Sequence, residues 1–315
     1  MLHYRVYLPS NENQVESLII FFHGHGAHIN SPAPVRFGQG LVREINCGVV
    51  MLDLVGHGWS KGERAYVEDY NHLVQDAVEF IRHVRSEDVC EKALWQRGAA
   101  RARWFAAGQS LGGAVALLAG RRLRGEWDQL QEVGNKHIME NERSAWGGVL
   151  LFAPAIRANP PPAAVIFIFQ YILLPLFPKQ CLPSAIYPNR GEDLTWVGEQ
   201  DQRRARADRW GEPGGLRWGH NMRLGTAYAL MQMLGSLGTE LQSVDFPFLA
   251  LHDPEDRIVQ CAATRELAEA AATPEEDRRF VELPGARHDL ICNATDIVIE
   301  NVKSWIEDQK NKTCV

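Results

Sequence analysis

Residues 104–113 constrain this chain most strongly, because they place a serine at a sharp turn between a strand and a helix. Residues 108–112 read Gly-Gln-Ser-Leu-Gly and fit the G-x-S-x-G pattern of a nucleophile elbow, in which glycine at both flanks tolerates the crowded turn. A short apolar strand over residues 104–107 precedes the pattern, and an Ala/Leu-rich helix over residues 111–123 follows it. This context predicts that Ser110 is a nucleophile rather than part of a chance turn.

A nucleophilic serine needs a base, and the base needs a carboxylate that orients it. Downstream of the elbow, a strand pattern at residues 245–253 ends in turn formers, and Asp256 lies in the loop beyond it. A second strand pattern at residues 279–283 leads into a loop that carries His288. Ligands bind beyond the carboxyl ends of the strands in open α/β sheets. The sequence therefore predicts Asp256 as the orienting acid and His288 as the base.

Other acids and histidines compete for these two roles. Asp253 and Glu255 lie beside Asp256, which we favour because it is deeper in the loop and has room to reach back towards His288. Among 11 histidines, His288 alone follows the last strand in a glycine-bearing loop, after the serine and the acid in chain order. The histidines in the early glycine loops, for which structural roles are predicted, include His23 and His57.

Further motifs in the same order make the chain resemble the monoacylglycerol lipase family. A His-Gly-His-Gly segment at residues 23–26 follows the apolar strand at 17–22, and residues 53–62 match the family's D-x-x-G-H-G-x-S-x-G segment. Residues 248–256 and 284–288 match its acid and histidine blocks. These relatives are serine hydrolases of the α/β-hydrolase fold and include plant lysophospholipase-like enzymes.

The resemblance extends from about Tyr4 to about Ile306, nearly the whole chain. It implies an oxyanion hole made by two backbone N–H groups, those of Leu111 and His25. His25 departs from the family, whose members usually carry a small or aliphatic residue there. The backbone donor survives this change, but an imidazole is expected to crowd or polarise the rim of the pocket. Relatives usually have one more strand before this start, so an abbreviated N-terminus is expected.

The spacing of apolar segments predicts a mostly parallel, doubly wound α/β sheet. The interval between residues 152 and 246 is too long for one crossover, and the resemblance makes it a helical cap inserted over the active site. We therefore expect an α/β-hydrolase core at residues 1–155 and 246–315 and a cap at residues 156–245. Two polar segments, 87–103 and 121–144, are expected to be surface insertions. The predicted strands are residues 17–22, 48–53, 104–107, 147–152, 246–251 and 278–283.

One strongly apolar run lies in the predicted cap, at residues 163–177. Its 15 residues, interrupted by Pro175, fall short of the roughly 20 that span a bilayer. A buried core helix is one interpretation, and a lid that lines the acyl tunnel and dips into a membrane is the other. We favour the lid, because a helix that is apolar all round finds little core within a cap. The residues predicted to form the lid are Phe167, Ile168, Phe169 and Leu173.

Composition excludes some classes of function. The charged fraction of 23% and the hydrophobic fraction of 45% are typical of a globular protein, and the net charge of −6 argues against a nucleic-acid binder. The arginine-rich stretches at 97–103, 121–124 and 203–209 are interpreted as solvated faces. Six scattered cysteines without metal-binding spacing, and the lack of a secretory signal, favour reduced thiols and a cytoplasmic location.

The sequence thus predicts a serine esterase that hydrolyses monoacylglycerol through an acyl-enzyme, with no cofactor and no metal. The expected partners are a lipid-like ester and a membrane or lipid droplet, contacted peripherally through the cap. A lysophospholipid or a soluble phenolic ester remains an alternative substrate. A non-catalytic receptor or scaffold with a hydrolase fold is the alternative from another class, and the intact Ser110, Asp256 and His288 argue against it.

Overall fold

The computed structural model describes residues 1–10, 14–86, 94, 96–99, 102–132, 145–157, 162–183 and 192–312. Seven strands form one sheet in the order β1-β3-β2-β4-β5-β6-β7. β1 runs antiparallel to β3, and every other neighbouring pair is parallel, which confirms the predicted fold class. The strands are β1 (Tyr4–Tyr7), β2 (Ser17–Phe22), β3 (Cys47–Leu52), β4 (Arg103–Gln109), β5 (Trp146–Phe152), β6 (Phe248–His252) and β7 (Arg278–Glu282).

Helices cover both faces of this sheet. Every residue of β2, β3 and β6 is buried, as expected for parallel strands covered on two sides, and alternate residues enter two separate core clusters. The core helices are α1 (Pro32–Glu44), α2 (Tyr70–Arg85), α3 (Leu111–Glu132), α8 (Leu224–Thr239), α9 (Cys261–Ala270), α10 (Leu290–Asn293) and α11 (Thr295–Lys312). α2, α3, α8 and α9 pack on one face, and α1, α10 and α11 on the other.

The chain between β5 and β6 contains further helices. An apolar helical segment starts with α4 (Ala163–Ile168), continues through a π-helical turn (Phe169–Leu173) and ends with α5 (Leu174–Leu176). We call this whole segment the lid helix. Two more helices follow it, α6 (Glu192–Thr195) and α7 (Glu199–Ala207). Over the described part of the chain, no helix is long and apolar enough to cross a membrane.

The prediction of a surface insertion at residues 121–144 is wrong for its first part. Residues 121–132 continue α3, because Leu123 and Trp127 supply a buried stripe along the added turns. The Trp127 ring meets Trp146 edge-on with their centroids 5.1 Å apart, and Trp104 completes the aromatic cluster. Residues 133–144, and most of the other predicted insertion at 87–103, lie outside the described residues.

Arginines 121, 122 and 124 on α3 are half-buried, and each has a hydrogen-bond partner. Arg121 pairs with Glu240, and Arg124 pairs with Asp128 at 2.7 Å and with Asp245 at 3.1 Å. Such exposed pairs contribute little to stability, typically about 0–1 kcal/mol each. The carboxylates neutralise Arg121 and Arg124, whereas Arg122 donates to the amide oxygen of Gln75 at 2.8 Å.

Candidate active site

Ser110 stands at the turn between β4 and α3 with a φ of +55°, in the left-handed region that non-glycine residues rarely adopt. Its N–H donates to the Phe152 carbonyl at 3.0 Å, which ties the turn to the neighbouring strand β5. A Cβ at position 108 would collide with the Gly112 carbonyl, and a Cβ at position 112 with the Phe22 carbonyl. Only glycine fits at either position, and the packed backbone maintains a strain of about 1–3 kcal/mol at the serine.

Asp256 lies in the loop after β6, and its side chain is fully buried. Its Oδ1 accepts hydrogen bonds from the N–H groups of Ile258 at 2.7 Å and Val259 at 3.1 Å. Its Oδ2 lies 2.7 Å from Nδ1 of His288 and 3.2 Å from Nε2 of His252. Burial alone would raise the pKa of this carboxyl, but the hydrogen bonds from His252, His288 and Ile258 lower it well below its usual range. Asp256 is therefore an ionised acceptor.

The two competing acids occupy other positions. Asp253 is buried, and its carboxylate accepts from the Glu255 N–H at 2.9 Å and from the Arg287 N–H at 2.5 Å. Arg287 has a φ of +53°, so Asp253 stabilises a strained backbone directly before His288. Glu255 is exposed to solvent. Of the three candidates, Asp256 is the one that the structure brings to His288.

Ser110, Asp256 and His288 open onto one cavity of about 1640 Å³. Its volume exceeds the roughly 300–1,000 Å³ of ordinary small-molecule pockets. Much of its wall comes from the chain between β5 and β6. The apolar part of this wall includes Ile166, Ile168, Phe169, Leu173, Phe177, Tyr228 and Leu234.

The four predicted lid residues divide between the two sides of the lid helix. Ile168, Phe169 and Leu173 line the cavity. Phe167 does not line it, and with 60% of its surface exposed it lies on the outer side. The lid helix has no buried residue, so the interpretation as a core helix is wrong.

His25 and Leu111 line the cavity beside Ser110. Within the described chain, neither backbone N–H donates to another protein group. Both ring nitrogens of His25 are buried without a hydrogen-bond partner among the described residues. Burial, with a smaller contribution from the charge of His23, lowers the pKa of His25 to about 4. The imidazole is therefore neutral at physiological pH.

His23 and His57 have the structural roles predicted for them. His23 Nε2 accepts from the Leu54 N–H at 3.0 Å, and His57 Nδ1 lies 2.9 Å from the Val55 carbonyl oxygen, to which it donates. Their rings pack with centroids 5.2 Å apart, and the His57 ring meets His25 edge-on at 5.5 Å. Burial lowers the pKa of both His23 and His57. The three neutral rings form a stack beside the loop that follows β2.

Sequence reasoning missed a half-buried carboxylate directly after the predicted base. Asp289 accepts from Gln109 Nε2 at 3.0 Å and from Trp196 Nε1 at 2.7 Å. It therefore connects the elbow, the histidine loop and the cap. Burial raises its pKa, even though both hydrogen bonds act in the opposite direction. The His-Asp dipeptide at 288–289 is a local signal, whereas nothing in the sequence links it to Trp196.

A second missed pair joins the core to the cap. His28 lies in the loop between β2 and α1, and its Nε2 lies 2.6 Å from Oδ2 of Asp208, at the end of α7. Burial of Asp208 would raise its pKa, but the hydrogen bond and charge of His28 and the Leu216 N–H lower it. No sequence pattern joins two residues 180 positions apart.

The family described as serine aminopeptidase, S33 (Hydrolase_4) matches residues 13–131 and 135–295. The chain belongs to this family. Among curated relatives, this S33 hydrolase is 22% identical over 296 residues to a monoglyceride lipase of Rattus norvegicus, covering 92% of this chain and 82% of the relative. It is 24% identical over 278 residues to a caffeoylshikimate esterase of Arabidopsis thaliana, covering 84% and 70% respectively.

Solved structures agree with the fold of this S33 hydrolase. The monoacylglycerol lipase of Paleococcus ferrophilus superposes with a TM-score of 0.64 at 18% identity, covering 96% of this chain and 99% of that one. A soluble variant of the monoglyceride lipase of Saccharomyces cerevisiae, in complex with a substrate analogue, gives a TM-score of 0.67 at 18% identity, covering 98% and 91%. At these identities the likeness establishes the α/β-hydrolase fold. Together with the curated relatives, the family makes the chain a serine hydrolase of the esterase type.

Proposed function

We propose that this hydrolase cleaves monoacylglycerols to fatty acid and glycerol through an acyl-enzyme on Ser110. The observation that carries the proposal is the 2.7 Å contact between Asp256 and Nδ1 of His288, in the cavity onto which the strained Ser110 opens. Because Asp256 occupies Nδ1, the other ring nitrogen of His288 is left for the serine hydroxyl. The proposal assigns Asp256 the role of the acid, His288 that of the base and Ser110 that of the nucleophile.

In this mechanism the Ser110 oxygen attacks the ester carbonyl while His288 Nε2 takes the hydroxyl proton. Collapse of the tetrahedral intermediate breaks the bond to the alcohol, and His288 returns the proton to that leaving group. Water then attacks the acyl-serine with His288 again as the base, which releases the fatty acid and restores Ser110. Asp256 stays ionised throughout and stabilises the imidazolium, as its lowered pKa allows.

The backbone N–H groups of Leu111 and His25 are the proposed donors to the oxyanion. Leu111 is the first residue of α3, so its N–H precedes the intrahelical hydrogen bonds, and the positive end of the helix dipole adds to its effect. The Gly24 backbone approaches Ser110 closely, since a Cβ there would lie 3.1 Å from the serine Cβ. The neighbouring His25 is therefore close to where the oxyanion would form.

The lid helix fits a substrate dissolved in lipid. Its inner side chains, Ile168, Phe169 and Leu173, would contact the acyl chain within the cavity. The side chains that remain exposed and apolar on its outer side are Phe167, Tyr171, Ile172 and Leu176. Burying one such side chain fully stabilises by about 1.5–3 kcal/mol, so two or three entering a membrane would hold the protein there reversibly. We propose that this outer side makes peripheral contact with a membrane or a lipid droplet.

Hydrolysis of a substrate panel tests this function. Purified protein and Ser110→Ala should be compared on monoacylglycerols of several chain lengths, a diacylglycerol, a lysophospholipid, a phenolic ester and p-nitrophenyl acetate. We expect long-chain monoacylglycerol to give the highest kcat/KM and Ser110→Ala to be inactive on every ester. A preference for the lysophospholipid or the phenolic ester would replace the proposed substrate while keeping the chemistry. A protein without esterase activity on the whole panel would be a receptor or scaffold.

A further inference from the structure

His252 is the last residue of β6, and it lies beside the proposed acid without lining the cavity. Its side chain is fully buried. Its Nε2 lies 3.2 Å from Asp256 Oδ2, the same oxygen that lies 2.7 Å from His288 Nδ1. Its Nδ1 lies 2.8 Å from the hydroxyl oxygen of Thr264 on α9. One carboxylate oxygen thus serves two imidazoles, and only one of them reaches the substrate cavity.

The hydrogen-bonding partners determine the tautomer of His252. An ionised carboxylate is an acceptor only, so the Nε2 that faces Asp256 carries a hydrogen. The Nδ1 of a neutral ring is then an acceptor, and the Thr264 hydroxyl donates to it. The opposite tautomer would direct a nitrogen lone pair at a carboxylate whose pKa is well below its usual range.

We propose that His252 is a positioning residue for the reaction, whose Nε2–H donates to Asp256 Oδ2 and moderates the basicity that this oxygen confers on His288. The proposal rests on the function proposed above. A carboxylate oxygen that already accepts one hydrogen bond is a weaker acceptor for a second. His288 is consequently less basic than with an unshared Asp256.

The same contact fixes the orientation of the carboxylate. The N–H groups of Ile258 and Val259 bind Oδ1, so the His252 donor on Oδ2 completes a restraint on both oxygens. With both oxygens restrained, Oδ2 cannot rotate away from His288. Thr264 is also buried, which keeps water from replacing the link from α9.

Other ionisable groups lie near this pair. Burial raises the pKa of the Cys261 thiol to about 11, so it is neutral in the working range. Glu282, opposite His252 in the β6–β7 register, pairs with Arg265 on α9. Asp253, next to His252 in the chain, is buried and binds the Arg287 N–H, and Asp289, next to His288, binds Trp196.

Two substitutions separate the donor from the volume of the side chain. His252→Leu removes the donor to Asp256. His252→Gln places an amide nitrogen at the position of Nε2 and so keeps a donor to Asp256. The pH dependence of kcat/KM with p-nitrophenyl acetate reports the pKa of His288 in the free enzyme. We expect the acid limb of His252→Leu to move to higher pH by about half a unit to one unit, as loss of a hydrogen bond to a charged group predicts. His252→Gln should remain within about 0.2 units of the parent protein.

A purely structural role would lower activity without moving this limb. An unshifted limb in a folded His252→Leu, or an equal shift in His252→Gln, overturns the proposal. If His252→Leu does not fold, ¹⁵N NMR of the unmodified protein with labelled histidine decides. A His252 protonated on Nε2 and bare on Nδ1 supports the proposal, and the reverse tautomer contradicts it.

The proposed function is tested separately in the same preparation, by reaction of the unmodified protein with a fluorophosphonate. If Ser110 is not modified, the proposed function fails. If Ser110 is modified and the acid limb of the kcat/KM profile does not move in His252→Leu, the hydrolase function stands and only the proposed role of His252 is rejected.

Discussion

The two walls of the cavity are built in different ways. On the core wall, Ser110, Asp256 and His288 follow three different strands, and backbone hydrogen bonds hold the turns on which they lie. On the cap wall, the lid helix has no buried residue, and Leu176 is 64% exposed. Packing and hydrogen bonds in the protein interior hold the core wall in place. Several large apolar side chains of the lid helix, by contrast, are exposed to solvent.

This difference indicates that the reaction and the choice of substrate depend on separate residues, the first on the core wall and the second on the lid helix. Reacting groups must be held to within a fraction of an ångström, which suits strand ends and a buried carboxylate. A surface that meets a fluid bilayer and flexible acyl chains needs apolar area rather than exact positions. Substitutions on the core wall should therefore reduce hydrolysis of every ester. Substitutions on the lid helix should reduce liposome binding or the hydrolysis of long-chain esters and leave the hydrolysis of short soluble esters intact.

The largest effect expected among the acids is that of Asp256→Asn. An amide at this position would favour the wrong tautomer of His288, and a matching change in a serine protease lowers kcat by about 10⁴-fold. Asp253→Asn is the matched control, because it alters a buried carboxylate that holds the same loop without touching the imidazole. We expect Asp253→Asn to lose less than about tenfold in kcat and to unfold at a lower temperature. If Asp253→Asn is the more damaging for kcat, the acid has been assigned to the wrong residue.

Two substitutions at His25 separate its backbone from its side chain. His25→Pro removes the proposed N–H donor, and the loss of one such donor lowers kcat by about 10²–10³-fold. His25→Ala keeps the N–H and should stay within about tenfold of the parent kcat. Circular dichroism checks that His25→Pro still folds. A larger loss in His25→Ala would mean that the imidazole itself takes part in the reaction.

Paired substitutions on the lid helix test whether its two sides act independently. Phe167→Ser with Ile172→Ser removes exposed apolar area that does not line the cavity. This variant should bind liposomes roughly tenfold less tightly, as expected for a loss of about 1.4 kcal/mol, and should turn over dispersed long-chain monoacylglycerol more slowly. Its hydrolysis of p-nitrophenyl acetate should be unchanged.

Phe169→Ser with Leu173→Ser alters the side that lines the cavity. It should raise KM for long-chain esters and leave liposome binding close to that of the parent protein. Sedimentation with liposomes measures membrane binding of each double variant, and steady-state kinetics measures its hydrolysis of long-chain monoacylglycerol and of p-nitrophenyl acetate. If both double variants weaken the two properties equally, or if both unfold, the sides of the lid have no separate roles.

The smallest effect concerns stability in mild acid. Burial lowers the pKa of His25 from 6.5 to about 4, so the unfolded chain takes up a proton at a higher pH than the folded one does. Stability is then retained above pH 6.5 and lost as the pH falls towards 4, by about 2 kcal/mol at pH 5. Urea unfolding at pH 7.5 and pH 5 should show a smaller acid loss in His25→Ala than in the parent. Equal losses would show that this imidazole does not contribute.

The motifs around the elbow predict the fold and the core wall because their physical causes are local. Gly108 and Gly112 are required by close backbone approaches at the turn of Ser110, and the buried strand β6 before Asp256 is almost continuously apolar. His288 follows β7, which is only partly buried, so its pairing with Asp256 was predicted from chain order and the loop motif. The length of α3 could not be predicted, because Trp127 is buried by residues distant in sequence.

The contacts that join distant segments of the chain could not be predicted from the sequence either. His28 with Asp208, and Asp289 with Trp196, connect the core to a cap whose path is set by tertiary packing. The apolar run of the lid helix was recognised from composition, but its periodicity did not reveal that Phe167 faces outward while Ile168 and Phe169 line the cavity. The π-helical turn at Phe169–Leu173 changes which side chains share a face, and ordinary helical spacing does not predict it.

The most direct test of the core wall is covalent modification by a fluorophosphonate, followed by mass spectrometry of the peptides. A serine activated by His288 and Asp256 should react at Ser110 alone, and His288→Ala should react at least 10³-fold more slowly although Ser110 is intact. Rapid, stoichiometric modification of Ser110 that depends on His288 is the result predicted here. Modification at another residue, or a rate that does not change in His288→Ala, would contradict the assignment of Ser110, Asp256 and His288 as one catalytic unit.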